Sequence, residues 1–213
     1  MRENNRMGCT AMSDKERNDL RQGHEKGAHG RGPSSFWMHD PRRVFNALAL
    51  EQGDVFLDLG CGPGNYAMEA ARIVGDSGRV YALDKSARMI ERVAGDASSH
   101  GAGNITAGVC DITGPLPLAD NSVDVCFLST VFHIPEVSRH AQGIFAEVRR
   151  VLKPGGRLAI IECKKEEMSF GPPMDMRWAP EELEALLSGS GYRKIGLTDL
   201  GYCYLLQFTV GAL

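Results

Sequence analysis

"VFLDLGCGPGNYAMEAARIV", residues 55–74, sets an apolar run against three closely spaced glycines and then a helical pattern. VFLDL (55–59) has the length and composition of a buried strand, and NYAMEAARIV (65–74) repeats its apolar residues at helical intervals. Gly60, Gly62 and Gly64 fill the turn between them. A strand, a glycine turn and a helix in that order form a ligand-binding corner in an open α/β sheet. The missing side chains admit a ligand to the backbone, and the helix directs its first N–H groups toward it. The glycines alone do not name that ligand, because such a turn also serves simple tight packing.

The alternation continues outward. GDSGR (75–79) turns the chain into VYALD (80–84), and Ser86 can cap a helix through Met89, Ile90 and Val93. ITAGV (105–109) and VDVCFLST (123–130) read as further strands, and Pro135 opens a long helix using Val137, Ile144, Phe145, Val148, Val151 and Leu152. The turn KPGG (153–156) then feeds the strand RLAIIEC (157–163). Strands alternating with helices imply parallel pairing and right-handed crossovers, hence a doubly wound α/β sheet covered on both faces. The tail departs from that rhythm. A helix follows Pro180 with Leu183, Leu186 and Leu187 on one side, and YRKIGLTDL and YCYLLQFTV, parted by Gly201, form an antiparallel hairpin at the sheet edge.

Residues 1–34 are polar, carry Gly23, Gly27, Gly30 and Gly32, and show no sustained apolar period, so they read as a flexible leader or a lid over the ligand. The folded domain is expected over 35–213, with Asp40 capping a helix that Pro41 opens. A net charge of -3 gives no electrostatic reason to expect a nucleic-acid partner. The longest apolar runs fall far short of the roughly 20 residues a membrane span needs, and the charged start has no signal-peptide core, so a cytoplasmic protein is expected. Cys61, Cys110, Cys126, Cys163 and Cys203 form no C-x-x-C pair, which favours reduced thiols. His24, His29 and His39 lack the spacing of a zinc site, and no metal is expected. Oligomeric state is left open.

The acidic residues discriminate between ligands. The dinucleotide fingerprint G-x-G-x-x-G needs glycine at position 65, where the chain has Asn65. Asp58 stands two residues before Gly60, where it repels a pyrophosphate and attracts a ligand carrying an ammonium and a sulfonium. Asp84 ends the second strand, where a carboxylate accepts both hydroxyls of a ribose. Asp111 follows the third, where it can accept an adenine amino hydrogen while the Ile112 N–H reaches a ring nitrogen. Taken singly these are ordinary turn or capping residues. Three carboxylates at three successive strand ends are much harder to assign to turns alone.

The segments LDLGCGPGNY, VYALDKSARMI, GVCDIT, LPLADNSVDVCFLSTVFH and EVRRVLKPGGRLAIIE, in that order over residues 55 to 162, resemble the class I S-adenosylmethionine-dependent methyltransferases, in particular a small-molecule branch with quinone-ring and arsenite methyltransferases. The resemblance implies a Rossmann-like, seven-stranded, mostly parallel sheet closed by an antiparallel hairpin. It also implies S-adenosyl-L-methionine as cofactor and a small-molecule methyl acceptor. By that resemblance Asp58 with the Gly60 and Gly62 backbone holds the methionine part and Gly64 completes the turn. Asp84, with Lys85 beside it, holds the ribose, and Asp111 with Ile112 the adenine. Met89 packs on the adenine face, and Ser129 offers its carbonyl near the amino group.

Methyl transfer from a sulfonium is an in-line displacement, so the protein's task is alignment and exclusion of water; a base is required only where the acceptor must lose a proton. His133, after the fourth strand, is the base candidate, and a backbone-bonded structural histidine is its plain alternative. Glu162 is a weaker candidate, and Lys164, Lys165, Glu166 and Glu167 read as a solvated charged face. Arsenite chemistry needs a cluster of thiols, and the sequence offers no convincing one on the substrate side. Two other classes stay in view: a catalytically silent cofactor-binding partner subunit, and an NAD-dependent oxidoreductase, which Asn65 and Asp58 disfavour.

Overall fold

A computed structural model describes residues 34–211; apart from Ser34, the leader expected over 1–34 lies outside the described residues. A 3-10 turn, Ser35–Trp37, precedes helix α1, Pro41–Leu48. The Asp40 carboxylate caps α1 as expected, accepting from Arg42 N–H at 3.0 Å, while Val44, Phe45 and Leu48 face inward. The alternating body then runs β1 (Val55–Leu59), α2 (Asn65–Val74), β2 (Arg79–Asp84), α3 (Ala87–Ser99), β3 (Ile105–Val109) and β4 (Val123–Ser129). After helices α4 (Pro135–Arg139) and α5 (Ala141–Val151) come β5 (Leu152–Cys163), a 3-10 turn at Met174–Met176, α6 (Pro180–Ser188), β6 (Tyr192–Asp199) and β7 (Cys203–Val210).

The seven strands lie in the order β3-β2-β1-β4-β5-β7-β6. β1 through β5 pair in parallel, and β7 runs antiparallel to both β5 and β6. The doubly wound sheet and its closing hairpin are therefore as the sequence predicts. The chain leaves β1 toward β2 on one side and returns to β4 on the other, so the direction of winding reverses there and a crevice opens at the carboxyl ends of β1 and β4. Two apolar layers cover the sheet, one around Leu57, Cys126, Phe145 and Leu206, the other around Phe56, Tyr66, Phe127 and Leu205. Each fully buried Leu or Phe contributes about 1.5–3 kcal/mol, and this sandwich holds the strand ends in register.

Two local readings differ from expectation. The single helix expected after Pro135 is two, because His140 leaves helical geometry at φ -101° and ψ 12°. Its Nδ1 lies 2.8 Å from Glu136 O and its N–H donates to Val137 O at 3.1 Å, so side chain and tightened turn satisfy the carbonyls exposed by the break. KPGG does not precede the strand but lies within β5. Val123 pairs with Leu152 and Val125 with Arg157, so these four residues loop out as a bulge opposite Asp124. The five described cysteines are all free and buried, in keeping with reduced thiols. No described helix is long and apolar enough to cross a membrane.

Candidate active site

The three glycines of the β1–α2 turn serve different ends. A Cβ on Gly60 would stand 2.7 Å from Val131 Cγ1, and one on Gly64 would stand 2.6 Å from Val93 Cγ2, so these two let the turn pack against its neighbours. A Cβ on Gly62 would meet nothing within 4 Å. The middle glycine thus faces open space at the switch point, where a ligand can approach the backbone. Gly60 and Cys61 N–H both donate to Leu83 O, at 2.8 and 3.0 Å, which ties the turn to the end of β2.

Asp58 and Asp84 flank this turn. Asp84 Oδ2 accepts from Gly62 N–H at 3.0 Å and Oδ1 from Ser86 N–H at 2.8 Å, so the carboxylate is fixed in orientation with lone pairs left for a ligand. Asp58 is 1% exposed, and its Oδ2 has no hydrogen-bond partner. Burial, and then the negative Asp84, push its carboxyl up to about 8, against a partial opposing effect of a backbone bond from Ala67. A buried acid with an unpartnered oxygen near an open glycine would make a socket for a cation, which would supply the missing partner and restore the charge.

The outer positions differ in exposure. Asp111 is exposed, its Oδ1 accepting from Thr113 N–H at 3.0 Å and from the Thr113 hydroxyl at 2.8 Å. Those bonds, with Lys85 contributing, hold its carboxyl below the usual range. Ile112 is buried, Met89 half-buried and Lys85 exposed. Ser129 ends β4, its carbonyl accepting the Thr130 hydroxyl at 2.8 Å, and its own hydroxyl lies 2.8 Å from that of Ser35.

That last bond belongs to a feature the sequence reading missed. The stretch 34–40 lies against the start of α2: His39 Nε2 is 2.8 Å from the Tyr66 hydroxyl, and Phe36 meets the Tyr66 ring edge-on at 5.0 Å. Trp37 Nε1, His39 Nδ1 and Asn65 Oδ1 are buried without partners, like Asp58 Oδ2. Burial lowers the His39 imidazole to about 4, outweighing the opposing charge of Asp40. No local signal announces these contacts, because only the folded chain brings positions 35–39 to 65, 66 and 129.

On the other side of the crevice, His133 is 25% exposed and its Nδ1 lies 3.4 Å from Glu162 Oε2, a carboxylate that is 1% exposed. Glu162 Oε1 accepts from Phe132 N–H at 2.7 Å. Burial disfavours the imidazolium, but the Glu162 bond and charge outweigh it and raise His133 above its ordinary 6.5. Trp178 Nε1–H donates to Phe132 O at 3.1 Å, and the Tyr204 hydroxyl donates to Trp178 O at 2.7 Å. Buried Arg177 donates to the carbonyls of Pro172, Lys164, Glu166 and Phe170 and so gathers the 164–177 loop beside this group. The charged face expected from Lys164 to Glu167 is in part paired: Lys164 Nζ is 2.9 Å from Asp199 Oδ2 and Lys165 Nζ 2.7 Å from Glu182 Oε1.

A methyltransferase-domain family model matches residues 50–189, which span both sides of this crevice. The chain belongs to the class I S-adenosylmethionine-dependent methyltransferases. Among relatives of this methyltransferase, the arsenite methyltransferase of Halobacterium salinarum is 33% identical over 144 residues, covering 67% of this chain and 34% of that protein. The ubiquinone/menaquinone biosynthesis C-methyltransferase UbiE of Bordetella avium is 32% identical over 170 residues, 78% of this chain and 62% of that one. A crystal structure of a SAM-dependent methyltransferase from Aquifex aeolicus superposes with a TM-score of 0.76 at 32% identity, covering 84% of this chain and 94% of that one. The chain spans between 34% and 49% of the length of the first curated relatives it matches. The methyltransferase family's cofactor is S-adenosylmethionine, and the residues present fit it: the Asp58 socket suits its ammonium, and the open side of Gly62 gives room for its passage.

Proposed function

We propose that this chain is a cytoplasmic enzyme that transfers a methyl group from S-adenosylmethionine to a small-molecule acceptor. The observation that carries this reading is the unpartnered, buried Oδ2 of Asp58 beside the open Gly62. Asp58 holds the cofactor's ammonium and the Gly60 and Gly62 backbone accommodates its methionine chain, with Gly64 completing the turn. Asp84, flanked by Lys85, receives the ribose hydroxyls. Asp111 and the Ile112 N–H bracket the adenine, Met89 covers its face, and the Ser129 carbonyl lies toward the amino group.

When bound, the cofactor supplies an electrophilic methyl on a positively charged sulfur. The chain's own contribution is alignment and dryness. His133 lies at the β4 end beside the acceptor space and takes a proton, at Nε2, from an acceptor that must lose one, while Glu162, 3.4 Å from Nδ1, holds the ring. Only the neutral imidazole accepts a proton. Because Glu162 raises His133, turnover of such an acceptor rises with pH to a point above 6.5, the ordinary value for the ring.

The acceptor side is built rather than vestigial, with a buried carboxylate behind a part-exposed histidine, and this favours an enzyme over a silent cofactor-binding subunit. Titration calorimetry with S-adenosylmethionine and with NAD tests the first half: heat from the sulfonium compound alone is expected, and binding of NAD alone would overturn the reading. A screen of quinols, phenols, amines and thiols with methyl-labelled cofactor tests the second. Label in a small-molecule product is expected; cofactor binding with no transfer, together with a stable partner in pull-downs, would leave the silent subunit in its place.

A further inference from the structure

Cys163 closes β5 and Cys203 opens β7, and the antiparallel register sets them directly opposite each other. Lys164 N–H donates to Tyr202 O at 3.0 Å, so positions 164 and 202 form a hydrogen-bonded pair and 163 and 203 the adjoining non-hydrogen-bonded one. In such a pair the Cα atoms stand about 4.5 Å apart, within the range a disulfide spans. Cys203 Sγ donates to Cys163 Sγ at 3.9 Å, and both side chains are buried. Closing to a bond of about 2.05 Å needs side-chain rotation and a small approach of the strand ends, with no change of register.

The two thiols are chemically unequal. The bond from Cys203, helped by the positive charges of His133 and Arg177, favours the Cys163 thiolate against burial and the negative charge of Glu162, while Cys203 is pushed upward by the bond it donates and by burial. The thiol that accepts the shared hydrogen is the one better placed to attack, and the thiol that donates it the one placed to resolve. Their place in the cleft is equally specific. Cys163 directly follows Glu162, whose carboxylate lies 3.4 Å from His133 Nδ1, so the pair adjoins that dyad. Gly171 of the loop held by Arg177 covers Cys163, a Cβ there standing 3.7 Å from its sulfur.

We propose that Cys163 and Cys203 form a reversible dithiol–disulfide site that switches off the acceptor side of the cleft. The oxidant is a hydroperoxide. The Cys163 thiolate attacks one peroxide oxygen, the O–O bond breaks, and the departing oxygen takes a proton, leaving a sulfenic acid on Cys163. Cys203 sulfur then attacks Cys163 sulfur, the S–O bond breaks, and hydroxide leaves with the Cys203 proton as water. Two thiols are oxidised and hydrogen peroxide is reduced to two waters; an external dithiol reverses the change. Drawing the sulfurs together moves the end of β5, which carries Glu162 and leads into the loop that Arg177 gathers, and so loosens the support of His133.

The test uses the full chain, reduced and then treated with hydrogen peroxide. The expected result is loss of two hydrogens in mass, a mapped link between Cys163 and Cys203, and reversal by dithiothreitol. In Cys203→Ser, a sulfenic acid trapped on Cys163 by a 1,3-dione replaces the link. Absence of the link in folded protein, or a link formed only after denaturation, overturns the proposal. Turnover with the identified acceptor is expected to fall roughly fivefold or more while cofactor affinity holds; unchanged turnover in the linked protein, or an equal loss in Cys163→Ser, overturns the switch. That arm rests on the proposed function, whereas the mass arm does not, so the two failures are distinguishable.

Discussion

Along the β1–β2 side of the cleft, Asp58, Gly62, Asp84 and Asp111 each lie within three residues of a strand's carboxyl end. Across from them, the proposed acceptor side draws on Phe132, His133, Glu162, Trp178 and Tyr204, contributed by three strands' ends and a long loop. The first side is made of short local motifs repeated at equivalent places in a winding sheet. The second is made of side chains that meet only through register and loop closure. A cofactor shared by a family needs the first kind of site, while an acceptor peculiar to one enzyme can be accommodated by changing the second without disturbing the sheet.

The largest effect that would break this division is expected at His133. His133→Ala should lower turnover of an acceptor that must lose a proton by about 10²–10⁴-fold. Cofactor affinity should stay unchanged, because the ring belongs to the acceptor side. Steady-state kinetics with calorimetry reads both quantities, and full turnover in the variant would remove His133 from the chemistry.

Asp58→Asn should act in opposite senses on cofactor binding and on the stability of the free protein. Losing the carboxylate from a buried charge pair costs about 2–5 kcal/mol, roughly 30-fold or more in cofactor affinity. The free protein should become more stable. The Asp58 carboxyl is raised from 3.8 to about 8 on folding, so between those values the folded chain holds a proton the unfolded chain has released. Its contribution to stability is therefore greatest below pH 4 and declines as pH rises toward 8. Asparagine has no such dependence, and thermal melts at pH 5 and 8 should show the wild type losing ground to the variant at the higher pH. In the wild type, cofactor binding should release up to one proton near pH 7, measurable by calorimetry in buffers of different ionisation heat. Binding without proton release would detach Asp58 from the cation.

Glu162→Gln probes the link between the two sides of the dyad. The amide keeps a partner for Phe132 N–H but removes the charge that raises His133. The acid limb of the pH–rate profile should move to lower pH and maximal turnover should fall by about tenfold, less than for His133→Ala, as suits a positioning residue. An unshifted acid limb would show that another group sets it.

How much of this was legible beforehand follows the same divide. VFLDL, the glycine turn and the strand-end aspartates could be read directly, because apolar periodicity fixes strands and helices and the sheet's winding then fixes which ends face the ligand. Glu162 was visible only as a residue at the end of RLAIIEC. Its pairing with His133 depends on β4 and β5 lying side by side, which spacing does not reveal. Trp178 donates to Phe132 O across 46 positions, and His39 reaches Tyr66 across 27. The Cys163–Cys203 pair needed a one-residue-accurate register between β5 and β7. The break at His140 escaped because its neighbours keep a helical apolar rhythm while a side-chain bond to Glu136 O takes over from the backbone.

The finest distinction lies inside the glycine turn itself, where the G-x-G-x-G spacing alone does not tell Gly62 from its neighbours. Gly62→Ala places a methyl in open space at φ +52°, within reach of the left-handed region, so about 1 kcal/mol of stability should be lost. Its main effect should be weaker cofactor binding, since the methyl enters the space the ligand crosses. Gly64→Ala puts the methyl 2.6 Å from Val93 Cγ2 at φ +81°, so it must strain both the turn and the contact with α3. That variant should lose more stability, about 1–3 kcal/mol, with a smaller direct effect on binding once folded. Denaturant melts and calorimetry on the two variants separate a glycine that admits a ligand from one that admits a neighbouring helix; equal losses in both measurements would mean that the turn acts as one rigid unit.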